Sequence, residues 1–420
     1  MNHHGQKKHH IVIVGMGFAG LHAYLTFAKK AKESDAIAIT IISADDSFTF
    51  IPMIHEVATG LLRPDSIVDP LRNTIGPWMR EYVEGRATAV DLEKRVVHVA
   101  LPDGLSMGIP YDTLIMAVGS VTNFMNVPGA EEHAYELKTL DDAKIIKNKV
   151  LAEFEDAADR TRAGQKASVD VVVVGGGASG VEVAGELSDF MDVLSKTFCD
   201  VTVKHSITVL DGGAALVKGA HAWISARAYD ILTKRANVDV KLNMRVSGVT
   251  EKGVQCGEEM IPSTLTIWTA GVKAREIAWT PTLSVDEKTR RIPVTSVLSL
   301  ENHPNVYVLG DQALAHEGAC PYPMRAQIAV MQGRATAKNI LHKLRDETQM
   351  PFEWRDKGFI LSLGEGGAVA ELFGIHFSGP FAWYVYRTAY LVSLVGVRAK
   401  LRTALEWTIN LFKKRDLGKV

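Results

Sequence analysis

Two stretches of the chain, IVIVGMGFAG at residues 11–20 and VVVVGGGASG at residues 171–180, decide the fold. Each joins an apolar run, typical of a strand buried on both faces, to a Gly-x-Gly-x-x-Gly turn and a following helix. The glycines allow a sharp turn and a close approach to a pyrophosphate, whose charge is stabilised by N–H groups at the helix start. We therefore predict two dinucleotide sites, one for a resident flavin dinucleotide and one for a nicotinamide dinucleotide that binds and leaves. The alternative is two ordinary strand–helix turns without a ligand.

The rest of the chain alternates strands and helices, which predicts an α/β fold with largely parallel sheets. We expect further strands at residues 36–42, 111–119, 264–271 and 306–310, and helices at 141–162 and 325–344. We expect two Rossmann-like domains, one inserted in the other. The flavin domain would comprise residues 1–120 and 290–345, the nicotinamide domain 121–289, and a C-terminal membrane-association or dimerisation region 346–420.

Composition narrows the class of protein. Hydrophobic residues make up 47% and charged residues 23% of the chain, as in ordinary soluble α/β proteins, and the net charge of -1 gives no reason to expect nucleic acid. Cys199, Cys256 and Cys320 are far apart, which argues against a disulfide scaffold or a metal site and suits a reducing compartment. The first ten residues are polar and basic and do not resemble a signal peptide.

The C-terminal end differs from the rest in charge. Between Arg387 and Val420 there are eight Lys and Arg residues against two acids, and residues 379–397 are rich in aromatic residues and leucine. On a helix that follows, we expect one face to carry Leu401, Ala404, Leu405, Thr408 and Phe412, and the other to carry Arg402, Glu406, Asn410 and Lys413. This pattern predicts amphipathic helices lying in the lipid headgroup layer. The alternative is a homodimer interface, and both can hold together.

Several further motifs carry a family resemblance. They are HEVATG at 55–60, TNFMNVPGAEEHAYELKTLDDA at 122–143, GGGASGVEVAGEL at 175–187, TIWTAGV at 266–272, GD at 310–311, PYPMRAQIAVMQG at 321–333 and GFILSLGEGGAVAELFGIHFSGPFAW at 358–383. With them, the chain closely resembles the type II NADH dehydrogenases, which are single-chain, non-pumping NADH:quinone oxidoreductases related to the pyridine nucleotide-disulfide oxidoreductases.

The resemblance implies FAD in the first site, NADH in the second, and a membrane quinone, ubiquinone or menaquinone, reduced at the membrane surface in a respiratory chain. It also implies a peripheral protein on the cytoplasmic face of the inner (cell) membrane. The implied FAD contacts are Gly15, Gly17, Phe18, Ala19, Gly20, Ser43, Ala44, Thr59, Ala117, Gly119, Gly310, Asp311, Ala326 and Gln327. The implied NADH contacts are Gly175, Gly177, Ala178, Ser179, Gly180, Glu182, Asp211, Ala270 and Gly271.

Three residues of these sites have their own chemical argument. Asp211 follows a strand end and can accept hydrogen bonds from the adenosine ribose, which favours NADH over NADPH; the alternative is a solvated turn aspartate. We expect Glu182 in the first helical turn, where the helix dipole favours a carboxylate. The resemblance instead places it beside nicotinamide and flavin, where it orients NADH or relays protons. Gln327 is expected to donate hydrogen bonds to flavin or quinone oxygens; the alternative is a surface helix residue.

The chain departs from the family pattern at two places. Ser43 occupies the position at which the family usually carries an acid for the FAD ribose, and we expect Asp45 or Asp46 to substitute for it. On the quinone side, Met331 stands where a second glutamine is usual, and Gln332 follows it. The predicted quinone contacts are therefore Gln327, Met331 and Gln332.

Other classes of protein remain open from the sequence. Sulfide:quinone oxidoreductases share this architecture and use cysteines near the flavin, and Cys320 lies just before Pro-Tyr-Pro; a buried structural cysteine is the simpler expectation. A soluble NAD(P)H flavin reductase and a non-catalytic, flavin-containing NADH sensor are further alternatives.

Overall fold

The computed structural model describes residues 8–76, 78–198, 200–356, 358–410 and 415–419. These residues form two compact units. Unit 1 contains the described parts of Met1–Phe48, Asp69–Val121 and Val272–Arg355, and unit 2 those of Thr49–Val68, Thr122–Gly271 and Asp356–Val420. The division differs from the predicted domain bounds, because Thr49–Val68 and the C-terminal residues group with the second dinucleotide fold.

Unit 1 is built on a five-stranded parallel sheet with a helix layer. The strands, in spatial order, are Val306–Val308, Thr113–Met116, His9–Val14, Ile37–Ser43 and Met79–Glu84. Helices Phe18–Lys30 and Ala326–Leu344 pack closely together, since a Cβ atom on Gly333 would lie 2.2 Å from the carbonyl oxygen of Ala19. A second sheet contains Arg86–Asp91, Val96–Ala100, Ser106–Pro110 and Ala278–Thr280. Shorter elements are helix Leu71–Thr74 and strands Ile292–Pro293, Ala313–Leu314, His316–Glu317 and Cys320–Pro321.

Unit 2 repeats this plan. Its parallel sheet has the order Ala134–Glu136, Leu265–Trp268, Ser168–Val174, Lys204–Leu210 and Val238–Lys241. The larger helices are Leu140–Arg162, Ala178–Ser195 and Ala222–Thr233, and the short ones are Ile54–Ala58 and Ala130–His133. An antiparallel sheet is formed by Gly248–Thr250, Gly253–Cys256 and Glu259–Pro262. The C-terminal part adds strands Gly358–Ser362, Ala368–Leu372 and Ile375–Ser378 and helices Pro380–Ser393 and Val397–Asn410.

The predicted α/β fold class is confirmed, and the reason is visible in the burial of the central strands. Ile11, Val12 and Ile13 are fully buried, as are Val169 and Val173 in the equivalent strand. Because parallel sheets are covered on both faces, an uninterrupted apolar run is what such strands require. Three short strands contain a residue bound between the units, namely Ser47–Thr49, Val68–Pro70 and Ser120–Thr122, and strand Val272–Ala274 begins directly after one.

Among the described helices, none is both long enough and apolar enough to cross a bilayer.

Candidate functional site

The first glycine turn lies at the carboxyl end of the central strand of unit 1. Gly15 has φ +89°, and a Cβ atom there would lie 2.4 Å from the carbonyl oxygen of Ala117. A Cβ atom on Gly20 would lie 1.9 Å from the carbonyl oxygen of Gly15. Both positions therefore exclude a side chain because strand, turn and helix approach so closely. Helix Phe18–Lys30 begins directly after Gly17, so its first N–H groups point out of the turn.

The second glycine turn in unit 2 has the same construction. Gly175 has φ +109°, and its Cβ atom would lie 2.6 Å from Cα of Ala270. A Cβ atom on Gly180 would lie 1.8 Å from the carbonyl oxygen of Gly175, and helix Ala178–Ser195 begins after Gly177. The same close contacts thus recur in two separate units, which is the geometry expected of two dinucleotide cradles.

The middle glycine of each turn has a different environment. A Cβ atom on Gly17 or Gly177 would meet no protein atom within 4 Å. Neither glycine has positive φ, since the values are -72° and -71°. Backbone geometry and internal packing therefore do not demand glycine at these positions, whereas the close approach of a pyrophosphate does. The residues present fit FAD and NADH.

Asp211 follows strand Lys204–Leu210 and holds the second turn in place. Its carboxylate accepts hydrogen bonds from the backbone N–H groups of Gly176 and Gly213, both at 2.7 Å. This position beside the glycine turn is where an acid meets an adenosine ribose in such folds. The carboxylate retains lone pairs for ribose hydroxyls, because each oxygen can accept two hydrogen bonds.

The second part of the unit 1 site lies around residues 310–311. Gly310 has φ +68°, and its N–H donates to Oε1 of Gln332 at 2.6 Å. Asp311 accepts a hydrogen bond from the hydroxyl of Ser120 at 2.5 Å. Gln332 is therefore buried and engaged with the turn, while Gln327 and Met331 lie half-buried on the same helix, Ala326–Leu344. These contacts place the Gly-Asp turn beside the helix that carries the predicted quinone residues.

The remaining predicted residues fall in both units. In unit 1, Ser43 is buried at the end of strand Ile37–Ser43, and Asp45 and Asp46 are exposed beyond it. In unit 2, Thr59 is fully buried and its hydroxyl donates to the carbonyl oxygen of His55 at 2.9 Å. The other predicted contacts begin the two helices after the turns (Phe18, Ala19, Ala178 and Ser179), follow strands (Ala44, Gly119 and Gly271) or begin helix Ala326–Leu344 (Ala326).

Glu182 does not lie in the first helical turn, where we expected it from the sequence. It is the fifth residue of helix Ala178–Ser195, and the first turn of this helix contains no acid. The expectation of a dipole-stabilised carboxylate is therefore wrong, because the dipole acts mainly within the first turn. Glu182 is buried, with 7% exposure, and burial raises its pKa well above the usual value, with further contributions from Glu56 and Glu186.

A chain of buried polar side chains extends from Glu182 through unit 2. Oε2 of Glu182 lies 3.9 Å from Nδ1 of His55, and Nε2 of His55 lies 3.3 Å from the hydroxyl of Tyr386. That hydroxyl is 3.2 Å from Oε1 of Glu56, whose Oε2 accepts a hydrogen bond from the indole N–H of Trp407 at 2.8 Å. Sequence reasoning missed Glu56, Tyr386 and Trp407 as a group. Only the motif HEVATG gave a signal at His55 and Glu56.

Glu186 lies one helical turn beyond Glu182 and has a buried cationic partner. Arg415 donates to Oε2 of Glu186 at 2.6 Å, and both side chains are buried. Gly185 allows this arrangement, because its missing Cβ atom would lie 2.5 Å from the backbone of Leu363. The adjacent Ser362 then donates through its hydroxyl to Oε1 of Glu186 at 3.3 Å.

The two cysteines that the structure describes are both free and differ in exposure. Cys256 is buried in unit 2, whereas Cys320 is exposed in strand Cys320–Pro321. The expectation that Cys320 is a buried structural cysteine is therefore wrong. Cys199 lies outside the described residues. In the part of the chain that the structure describes, no cluster of His, Cys, Asp and Glu has the arrangement of a metal site.

The C-terminal helix presents its apolar face outwards. Val397, Leu401, Leu405 and Ile409, spaced four residues apart, are all exposed. In contrast, the expected polar face contacts unit 2: Glu406 accepts from the N–H of Arg63, Arg402 pairs with Asp65, and Asn410 donates to the carbonyl oxygen of Leu61. Of the residues expected on the apolar face, Thr408 is exposed and Ala404 is half-buried, while Phe412 and Lys413 lie outside the described residues. We call the four exposed residues the apolar stripe.

Comparisons with known proteins agree with this geometry. A sequence model of the pyridine nucleotide-disulphide oxidoreductases matches residues 9–333. The chain is 30% identical over 425 residues to the type II NADH:quinone oxidoreductase Ndh of Mycobacterium tuberculosis, and the match covers 97% of this chain and 89% of that protein.

Two solved structures have a similar fold. NDH2 from Plasmodium falciparum in complex with NADH has a TM-score of 0.88 at 20% identity, covering 98% of this chain and 100% of that chain. The sulfide:quinone oxidoreductase of Aquifex aeolicus has a TM-score of 0.71 at 17% identity, covering 98% of this chain and 92% of that chain. At these identities the two likenesses show the fold alone.

Proposed function

The chain belongs to the type II NADH:quinone oxidoreductases, within the pyridine nucleotide-disulphide oxidoreductase family, and from this premise we propose that it oxidises NADH and reduces a membrane quinone. The observation that carries the proposal is the duplicated cradle, with equivalent close contacts at Gly15 and Gly175. We assign FAD to the cradle of unit 1 and NADH to that of unit 2. When bound, FAD supplies the chemistry of accepting a hydride and passing on two electrons.

The residues of unit 1 bind and orient FAD in this proposal. The turn at Gly15, Gly17 and Gly20 brings backbone N–H groups to the pyrophosphate. Asp311, held by Ser120, offers carboxylate oxygens to hydroxyl groups of the cofactor. Helix Ala326–Leu344 directs its positive N-terminal end towards developing negative charge. Its half-buried residues Gln327 and Met331 are our candidates for the quinone side, whereas Gln332 positions the turn through the N–H of Gly310.

In unit 2, Asp211 sets the choice of nicotinamide dinucleotide. Its carboxylate oxygens accept hydrogen bonds from the ribose hydroxyls, and its negative charge repels a 2′-phosphate. Replacing Asp211 with asparagine keeps an oxygen acceptor but removes the charge. We expect kcat/KM for NADH to fall about 10- to 100-fold, since a hydrogen bond to a charged group contributes about 1.5–3 kcal/mol. We also expect the preference for NADH over NADPH to narrow.

The control for this substitution is Asp239→Asn, on the neighbouring strand Val238–Lys241, where the side chain is exposed. Steady-state kinetics with both dinucleotides test the prediction. An unchanged ratio of the two kcat/KM values in the Asp211 variant removes Asp211 from the ribose site.

Glu182 is the proton-carrying residue of the proposed reaction. A quinone takes up two protons with its two electrons, and a buried glutamic acid whose pKa is raised well above its usual value favours the protonated form that can supply one. We expect Glu182→Gln to reduce quinone turnover by about 100-fold, the lower end of general-acid contributions, with FAD content unchanged. Stopped-flow bleaching by NADH measures the reduction of the protein by NADH, and steady-state quinone reduction measures the complete turnover. Wild-type turnover in this variant restricts Glu182 to a structural role.

The function itself is tested on the wild-type holoenzyme. NADH oxidation is followed with and without a short-chain quinone, and the yellow chromophore is followed anaerobically on addition of NADH. Bleaching by NADH and rapid return of the colour with quinone are the expected results. A chromophore that NADH does not bleach contradicts the proposal, as does a bleached one that quinone does not restore.

We further propose that the apolar stripe docks the protein on the cytoplasmic face of the cell membrane, as a peripheral protein. The stripe is exposed, and Arg398 and Lys400 flank it with positive charge suited to anionic headgroups. Phe381, Tyr384 and Val392 on helix Pro380–Ser393 are exposed as well. Docking gives a lipid-dissolved quinone access from the bilayer. In this proposal the turnover is not coupled to ion transport.

The docking proposal predicts the behaviour of a charged variant. Replacing Leu401 and Leu405 together with glutamate should lower binding to phosphatidylglycerol vesicles by more than about tenfold, since burying one leucine contributes about 1.5–3 kcal/mol. Flotation of the holoenzyme with these vesicles measures the bound fraction. The control is Leu105→Glu, because Leu105 is 64% exposed, between Leu401 at 67% and Leu405 at 60%. Retained flotation with a changed oligomeric state assigns the stripe to a homodimer instead.

A further inference from the structure

Unit 2 buries more negative than positive side chains. Glu56, Glu182 and Glu186 are 1%, 7% and 1% exposed. Arg415 forms ion pairs with Glu186 and Asp189, and no Lys or Arg side chain among the described residues forms one with Glu56 or Glu182. Because a buried carboxylate without a cationic partner favours its neutral form, this group of side chains retains protons.

Polar contacts connect Glu56 and Glu182, the two glutamates that form no ion pair with Lys or Arg. From Glu56, the contacts run to the hydroxyl of Tyr386 at 3.2 Å, then to Nε2 of His55 at 3.3 Å. The last step, from Nδ1 of His55 to Glu182, is 3.9 Å and must shorten by a small side-chain movement before a proton passes. Every side chain in this series is buried.

We propose that Glu56 is a proton reserve that reprotonates Glu182 through Tyr386 and His55 during turnover. This inference rests on the proposed quinone reduction and adds a positioning and proton-holding role that lies away from the reacting atoms. It explains why polar side chains from two C-terminal helices converge on the short helix Ile54–Ala58.

The proton steps balance without a co-reactant. After Glu182 gives its proton to a quinone oxygen, the Nδ1 proton of His55 passes to Glu182. The hydroxyl proton of Tyr386 then passes to Nε2 of His55, and the carboxyl proton of Glu56 passes to the oxygen of Tyr386. Three bonds to hydrogen break and three form. Glu182 is neutral again, Glu56 carries the negative charge, and His55 has changed tautomer.

The groups around Glu56 and His55 shift the pKa values of these two side chains in the directions that the proton transfer requires. Burial, then the nearby Glu186, raises the pKa of Glu56 to about 7, while the Trp407 N–H, Arg387 and Tyr386 act in the opposite direction. These three groups stabilise the carboxylate that is left when the proton departs. Burial, then the charge of Arg415, lowers the pKa of His55 to about 3. His55 is therefore neutral at physiological pH and passes a proton between its two nitrogens.

The sign of the pH dependence follows from the raised pKa of Glu56. Glu56 holds its proton below about pH 7 and loses it above. The other ionisable groups around it, from the packed helices and the C-terminal segment, are His55, Glu182, Glu186, Tyr386, Arg387, Tyr390 and Arg415. We therefore expect the proton reserve to be full in weak acid and empty in weak base, so that quinone reduction declines as the pH rises.

The test compares two electron acceptors on the FAD-loaded protein. Ferricyanide takes electrons without protons, whereas a short-chain quinone takes both. For Glu56→Gln and Tyr386→Phe, we expect quinone reduction to fall on the order of tenfold, less than for a direct acid, with ferricyanide reduction unchanged. The decline of quinone reduction above about pH 7 should be lost in Glu56→Gln. Glu155→Gln is the control. Glu155 is exposed and forms an ion pair with Lys419, which lies in the same C-terminal segment as Arg415, so this substitution removes a glutamate charge outside the buried group.

Three results overturn the inference. The first is wild-type quinone reduction with an unchanged pH profile in both variants, and the second is an equal loss with both acceptors, which indicates a structural role. The third applies if Glu56→Gln does not retain FAD and so cannot be assayed. In that case, wild-type quinone reduction by Tyr386→Phe overturns the inference. A wild-type enzyme that NADH bleaches but quinone does not reoxidise contradicts the proposed function instead.

Discussion

Replacing Gly15 with alanine is expected to yield protein that purifies without its yellow chromophore and has no NADH oxidation activity. The added Cβ atom would lie 2.4 Å from the oxygen and 2.7 Å from the carbon of the Ala117 carbonyl group, directly after the neighbouring strand Thr113–Met116. Because these are backbone atoms at the end of a strand in a five-stranded sheet, they cannot rotate away as a side chain would. The φ of +89° adds strain of about 1–2 kcal/mol for any residue with a Cβ atom.

Overpacking of a rigid region adds about 1–3 kcal/mol more, so we expect a total loss of about 2–5 kcal/mol in unfolding free energy. Displacement of the turn also moves the N–H groups that face the pyrophosphate. Absorbance of the purified protein and urea denaturation measure both effects.

Gly104→Ala separates strain from steric clash. Gly104 has φ +85°, nearly the value at Gly15, but a Cβ atom there would meet no atom within 4 Å. We expect this control to lose only the strain contribution and to keep its FAD. If Gly104→Ala and Gly15→Ala behave alike, backbone conformation alone explains the effect, and the close approach of Ala117 does not matter.

The two cradles were predictable because their determinants are local. An apolar strand, three spaced glycines and a helix follow one another within ten residues, so the sequence order reproduces the spatial order. Asp211 was predictable for the same reason, since it directly follows the strand Lys204–Leu210. The residue bounds of single strands shifted by a few positions, for instance Leu265–Trp268 within the expected 264–271.

The buried side chains of unit 2 were not predictable in this way. Tyr386 and Trp407 lie 330 and 351 positions from their partner Glu56, and Arg415 lies 229 positions from Glu186. No periodicity or spacing joins such distant residues. The C-terminal helix shows a related problem, because a helical pattern defines two faces without saying which one contacts protein. Here the polar face does so, through ion pairs and hydrogen bonds to residues 61–65.

Replacing Arg415 with methionine is expected to lower the free energy of unfolding by about 3–5 kcal/mol, because it leaves Glu186 as a buried carboxylate without its cation. Glu186 is 1% exposed, and neighbouring Glu56 and Glu182 supply no positive charge. Methionine roughly keeps the volume and apolar stem of the side chain. Urea denaturation at neutral pH, followed by tryptophan fluorescence, measures the loss.

A second substitution distinguishes lost charge compensation from lost packing. In the double variant Arg415→Met with Glu186→Gln, the buried group is neutral, so we expect most of the stability to return. The control Arg402→Met breaks an ion pair of 3.3 Å with Asp65 in which both side chains are about half exposed, 54% and 50%. Such a pair contributes no more than about 1 kcal/mol. If the single and double variants are equally unstable, Arg415 acts by anchoring the C-terminal segment through the carbonyl oxygen of Thr59 rather than by neutralising Glu186. If the double variant instead recovers its stability, the C-terminal segment packs in the interior of unit 2 because Arg415 neutralises the charge of Glu186.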